Sequence, residues 1–145
     1  MSADFRHRVR VRYGECDSQG VLFNAHYLAF ADLTLTERWR SALPGGYAAM
    51  VASGTDMVAA EAHVRFLAPT PFDDALAIEL AVTRLGSTGM GSSFWMARGE
   101  QTLAEVHLRH VFVTAAGGAK TPIPDAVRTG LAPYLAHAMV AGNAG

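Results

Sequence analysis

The chain has 145 residues, half of them apolar, and a formal net charge of -1. That size fits one domain with enough apolar material for a core without disulfides or metal. Near-zero charge argues against a general nucleic-acid binder, which is usually basic overall or over one face. A single cysteine, Cys16, excludes an intramolecular disulfide and fits a reducing compartment. The first residues lack the apolar run of a secretory signal, and no segment approaches the ~20 apolar residues of a membrane span. The expectation is therefore one cytoplasmic domain over residues 1–145, with no membrane and no nucleic-acid partner.

Phe5 to Tyr13 alternates, with Phe5, His7, Val9, Val11 and Tyr13 on one face and Arg6, Arg8, Arg10 and Arg12 on the other. This predicts a strand. Gly14, Asp17, Ser18 and Gly20 break the pattern into a loop, and Asn24 is placed to cap a helix running to Leu43, stopped by Pro44-Gly45-Gly46. The first half of that helix is apolar almost all round (Ala25, Tyr27, Leu28, Ala29, Phe30, Ala31, Leu33, Leu35), which predicts enclosure on every side.

After a Gly-containing connector, Met57 to Leu67 alternates again, with Val58, Ala60, Ala62, Val64 and Phe66 opposing Glu61, His63 and Arg65. A turn through Pro69-Thr70-Pro71 leads to a strand from Ala75 to Arg84. The Gly- and Ser-rich stretch 84–93 reads as a flexible break, and strands Phe94–Arg98 and Leu103–Val113 follow around Gly99-Glu100. Pro122-Ile123-Pro124 blocks the ladder, and Asp125 can cap a last helix reaching about residue 140. Closely spaced strands in hairpin-like succession predict an antiparallel sheet around one apolar helix, an α+β arrangement.

The chemistry concentrates in Tyr13-Gly14-Glu15-Cys16-Asp17-Ser18-Gln19-Gly20-Val21-Leu22-Phe23-Asn24-Ala25-His26-Tyr27. A carboxylate in a Gly-containing loop stands just before a buried helix. Free N–H groups at such a helix start can hold an oxyanion, and the carboxylate can act as nucleophile or general base. The plain alternative is that Asp17 closes a turn, as loop aspartates commonly do. Cys16 lacks an activating partner. Glu61 and His63, two apart on one strand, share a face and can form an acid/base pair or simply line the surface. The six histidines show no metal spacing such as His-Glu-x-x-His.

The stretch resembles the Asp-x-x-Gly-x-Val/Leu-x-x-x-x-Tyr signature of the 4-hydroxybenzoyl-CoA thioesterase family, which includes thioesterases of the Tol–Pal-associated type. The match runs through Asp17, Gly20 and Tyr27. Supporting similarity covers the opening strand, the long helix, the Phe66-Leu67-Ala68-Pro69…Phe72-Asp73-Asp74 turn and Ile123-Pro124-Asp125. The resemblance implies a hotdog fold, a five-stranded antiparallel sheet wrapped around a long central helix with a C-terminal helix.

It also implies hydrolysis of an acyl-CoA to free acid and CoA without cofactor or metal. Asp17 would attack or activate water, and the Asn24 backbone N–H would hold the oxyanion. Many relatives read Tyr-His-Ala-Asn-Tyr where this chain has Phe23-Asn24-Ala25-His26-Tyr27, so His and Asn have changed places. Gly20, His26, Tyr27, Arg84, Ser87 and Thr88 are the candidate substrate-binding residues, the last three in a segment the resemblance places near CoA. The arginine row at 6, 8, 10 and 12 is a further candidate for its phosphates. A homodimer is the expected active unit, with a dimer of dimers the favoured full assembly. Two alternatives stand beside hydrolysis: a hotdog enoyl-thioester hydratase or dehydratase using His acid/base chemistry, and a non-catalytic acyl-CoA-binding module.

Overall fold

Alternating apolar positions settle into five antiparallel strands: β1 (Phe5–Arg10), β2 (Thr55–Phe66), β3 (Ala75–Leu85), β4 (Gly89–Arg98) and β5 (Gln101–Thr114). The computed structural model describes residues 5–132. The strands form one sheet in the order β1-β3-β4-β5-β2. β3 and β4 join in a tight hairpin, where the Gly86 N–H donates to the Gly89 carbonyl at 2.8 Å. The segment read as a flexible break is thus mostly ladder, and β4 starts at Gly89, ahead of the expected Phe94.

The side chains of Leu76, Ile78, Leu80 and Val82 from β3, Phe94 and Met96 from β4, and Val106 and Phe112 from β5 are buried in one cluster. Against them lies α1 (Asn24–Ala42), which buries Tyr27, Phe30, Ala31, Thr34, Leu35, Arg38 and Trp39. This spacing is one helical stripe. The expectation that its first half is enclosed all round is not met: Leu28 is 37% and Leu33 40% exposed. The sheet can cover only the side of the helix it wraps.

Several expected boundaries move. β1 ends at Arg10, and Tyr13, expected as the last residue on the strand face of Phe5, His7, Val9 and Val11, opens a 3-10 turn (Tyr13–Glu15) and is 83% exposed. The connector before β2 contains a short helix, α2 (Gly46–Ala52). The hairpin-like succession fails at one place, because β2 pairs with β5 rather than with β3. Segment 67–74 therefore crosses from the β2 edge to the far side of the sheet.

Register shifts in β2 between Ala59 and Glu61. The extra residue of this bulge breaks the period-2 pattern. Val58 pairs with Val111 and Ala62 with Leu108, so these two apolar residues take opposite faces, although simple alternation put them together. A last helix, α3, begins at residue 125, and its expected extent past 132 lies outside the described residues. The Pro124 carbonyl accepts from the Val127 and Arg128 N–H groups at 3.0 and 3.1 Å, so the start of α3 is closed by backbone.

Candidate active site

Residues 15–23 form a closed loop. Cys16 and Leu22 make an antiparallel bridge, the Asp17 N–H donates to the Val21 carbonyl at 2.9 Å, and the Phe23 N–H donates to the Glu15 carbonyl at 2.9 Å. Gly20 turns the chain at φ +76, a left-handed conformation that glycine adopts without strain. The crossing segment braces the loop from outside. The Leu22 N–H donates to the Thr70 carbonyl at 2.8 Å, and the Phe72 N–H to the Gly20 carbonyl at 3.0 Å.

Asp17 sits in this loop with one oxygen engaged. Its Oδ1 accepts from the Gln19 N–H at 2.8 Å and, more weakly, from the Val21 N–H at 3.5 Å. The turn-closing role of a loop aspartate is therefore real here. These bonds use Oδ1 and fix the carboxylate's orientation.

Asn24 is the first helical residue rather than the cap; Phe23 occupies the cap position with no side-chain cap bond. The loop closure at Phe23 leaves the next N–H groups, on Asn24 and Ala25, without an acceptor among the described residues. Asp17 and Asn24 line one open groove of about 420 Å³ with Tyr27, Leu22, Phe66 and Leu67. Tyr27 is 3% exposed and its hydroxyl meets the Thr70 hydroxyl at 3.0 Å. Its ring stands edge-to-face on Phe66 with centroids 5.3 Å apart.

The other candidates lie apart within one chain. Gly20 lines a neighbouring groove of about 510 Å³ that Asp17 also borders. His26 lines a third groove, of about 540 Å³, with Arg12, Glu15, Ala29 and Leu33. Arg84, Ser87 and Thr88 line a fourth, of about 460 Å³, on the β3–β4 hairpin with Thr83 and Arg109. Arg109 is bound to Glu61 at 2.6 Å, whereas Arg84 makes no ion pair among the described residues. In the arginine row, Arg6, Arg10 and Arg12 each pair with a carboxylate, on Glu79, Asp73 and Glu15 respectively.

The acid/base alternative is weakened, because Glu61 and His63 are both exposed and the Glu61 carboxylate is held by Arg109. The Cys16 thiol is pushed up from its ordinary pKa by burial and by the negative charges of Asp17 and Glu15, which makes it a poor nucleophile. Two contributors escaped the sequence reading. Thr70 is fully buried and ties Tyr27 to the crossing segment, and Glu15 is buried at the root of the loop. The proline pair around Thr70 was the visible signal for the first.

Comparison with known proteins agrees with this architecture. The family model described as the thioesterase-like superfamily matches residues 11–131. The acyl-CoA thioester hydrolase YbgC of Escherichia coli O6:H1 is 31% identical over 99 residues, 68% of this chain and 73% of that protein. Among solved structures, a hypothetical protein from Aquifex aeolicus superposes with a TM-score of 0.83 at 24% identity, covering 88% of this chain and 98% of that one. A 1,4-dihydroxy-2-naphthoyl-CoA thioesterase from Synechocystis gives 0.80 at 20% identity, covering 88% and 95%. At such identities these two structures speak to the fold. With its sheet curled over one central helix, the chain belongs to the thioesterase-like superfamily and has the hotdog fold.

Proposed function

We propose that the protein hydrolyses an acyl-CoA thioester to the free acid and CoA. The observation that carries this reading is one groove lined by the Asp17 carboxylate and by Asn24, whose helix-start N–H has no acceptor among the described residues. Superfamily membership and the 31% identity to a named acyl-CoA thioester hydrolase support it.

In this reading the thioester carbonyl oxygen points at the Asn24 N–H, where charge develops as the tetrahedral centre forms. Asp17 either attacks the carbonyl carbon or takes a proton from the attacking water. Collapse breaks the C–S bond and releases CoA thiolate. On the general-base route the thiolate takes the proton that Asp17 removed from water. On the nucleophile route water then cleaves the acyl–Asp17 anhydride, freeing the carboxylate and supplying the thiolate's proton. Either route consumes one water and needs neither metal nor redox cofactor. Tyr27 and Gly20 shape the acyl side. Arg84, Ser87 and Thr88, with His26, are the proposed contacts to the rest of the substrate, reached across a subunit boundary in a homodimer or a dimer of dimers. A cytoplasmic location suits a CoA ester as substrate; among the described residues no helix is long and apolar enough to cross a membrane.

Thiol release measured over a panel of aromatic, short-chain and long-chain acyl-CoAs tests the activity. Asp17→Asn keeps the shape and removes the charge, and should lower kcat on the best substrate by ~10²–10⁴-fold. A folded Asp17→Asn protein with wild-type kcat would remove the assignment. CoA-ester binding without thiol release from any panel member would favour a binding module.

A further inference from the structure

Glu15 has no role in the chemistry above, yet it is the best-held carboxylate near the loop. The residue is 7% exposed. Its Oε1 accepts from the Arg12 backbone N–H at 2.8 Å and its Oε2 from Arg12 Nη2 at 3.0 Å. Its own N–H donates back to the Arg12 carbonyl at 3.0 Å, so side chain and backbone close the 3-10 turn reciprocally. Its carbonyl accepts from the Phe23 N–H, immediately before the free N–H groups of α1. One residue thus joins the end of β1, the base of the Asp17 loop and the start of the helix.

The two bonds from Arg12 are unequal. The Arg12 side chain is 81% exposed, and an ion pair reaching into water contributes little. The backbone N–H meets a carboxylate that is 90% removed from solvent, where a charge-assisted bond is strong. Burial pushes the Glu15 carboxyl up. Hydrogen bonds from the Arg12 side chain and backbone, with the charges of Arg12 and His26, pull it further down, and it ends below the usual carboxylate range.

We propose that Glu15 is a positioning residue for thioester hydrolysis: its reach to the Arg12 backbone N–H sets the turn that holds Asp17 in register with the Asn24 N–H. The proposal rests on the hydrolytic reading above. It separates reach from charge. Glu15→Gln keeps an acceptor at the same reach and loses the charge; Glu15→Asp keeps the charge and falls one methylene short.

The test measures kcat and KM for Glu15→Gln, Glu15→Asp and Asp17→Asn on the best acyl-CoA, with folding checked by circular dichroism. Glu15→Gln should stay within about 5-fold of wild-type kcat. Glu15→Asp should lose on the order of 10–100-fold in kcat with KM changed little, because a misplacement of about an ångström costs that much in reactions that depend on alignment. A wild-type kcat for Glu15→Asp overturns the proposal. So does a loss in Glu15→Gln as large as in Glu15→Asp, which would make charge the operative property. A crippled Asp17→Asn beside an unaffected Glu15→Asp removes this inference alone, while an unaffected Asp17→Asn removes the hydrolytic reading and this inference with it.

Discussion

Asn24 carries two groups with separate fates. Its side chain makes no cap bond, while its backbone N–H, at the first position of α1, has no acceptor among the described residues. The sequence pointed to Asn24 as a cap because asparagine favours that position, and on that view Asn24→Ala would cost about 1 kcal/mol. With Phe23 in the cap position, Asn24→Ala should leave stability and kcat close to wild type. Proline is well accepted at a first helical position, and Phe23, at φ -68 and ψ 144, already has the extended conformation a following proline requires. Asn24→Pro therefore removes the N–H with little damage to the helix and should lower kcat by ~10²–10³-fold, the usual loss for one oxyanion donor. Thermal melts alongside kcat check this. Equal rates for Asn24→Ala and Asn24→Pro would exclude the N–H from the reaction.

At the scale of elements, the meeting of α1 and α3 depends on a missing side chain. A Cβ at Gly130 would lie 2.4 Å from the Ala42 carbonyl oxygen. Alanine favours a helix over glycine by about 1 kcal/mol, while overpacking costs about 1–3 kcal/mol. A backbone oxygen cannot move aside as a flexible side chain can, so the clash should win. Gly130→Ala should lower the midpoint of chemical denaturation, and a raised midpoint would show that the helices part freely.

The elements were largely legible because each wrote its own period: α1 its stripe, β3 and β5 their alternation. What stayed hidden belongs to pairs of elements. The bulge at Ala59/Glu61 is a mismatch between β2 and β5, and nothing in β2 alone announces it. The crossing of segment 67–74 was hidden for the same reason, since its prolines say turn and not destination. Asp17, Asn24 and Tyr27 line one groove, whereas Thr70 reaches it through a contact 43 residues away from Tyr27 in sequence.

For the whole molecule, the open question is what lies along β2. It is an edge strand of 12 residues, with Val58 50% and Phe66 53% exposed and Ala59, Ala60 and Ala62 exposed between them. A long edge strand of this kind, with exposed apolar residues among its charged Glu61 and Arg65, invites another strand. A second copy is the simplest partner, since a two-fold axis lets the same edge serve both chains. Light scattering at micromolar concentration should give two or four times the 15.4 kDa chain mass. A stable, fully active monomer would refute the assembly and the subunit-boundary substrate contacts together.

The crossing segment also sets a timetable. During synthesis the ribosome delivers the Asp17 loop early, before the parts that hold it. Thr70 and Phe72, which brace that loop, come only after α1, α2 and β2, and they are anchored when β3 pairs with β1. Until then the nascent chain carries the Asp17 loop without its brace. Such long-range closure is slow compared with helix formation. A partly made or clipped chain lacking β3 still carries Thr70 and Phe72 but has nothing to anchor them against the Asp17 loop.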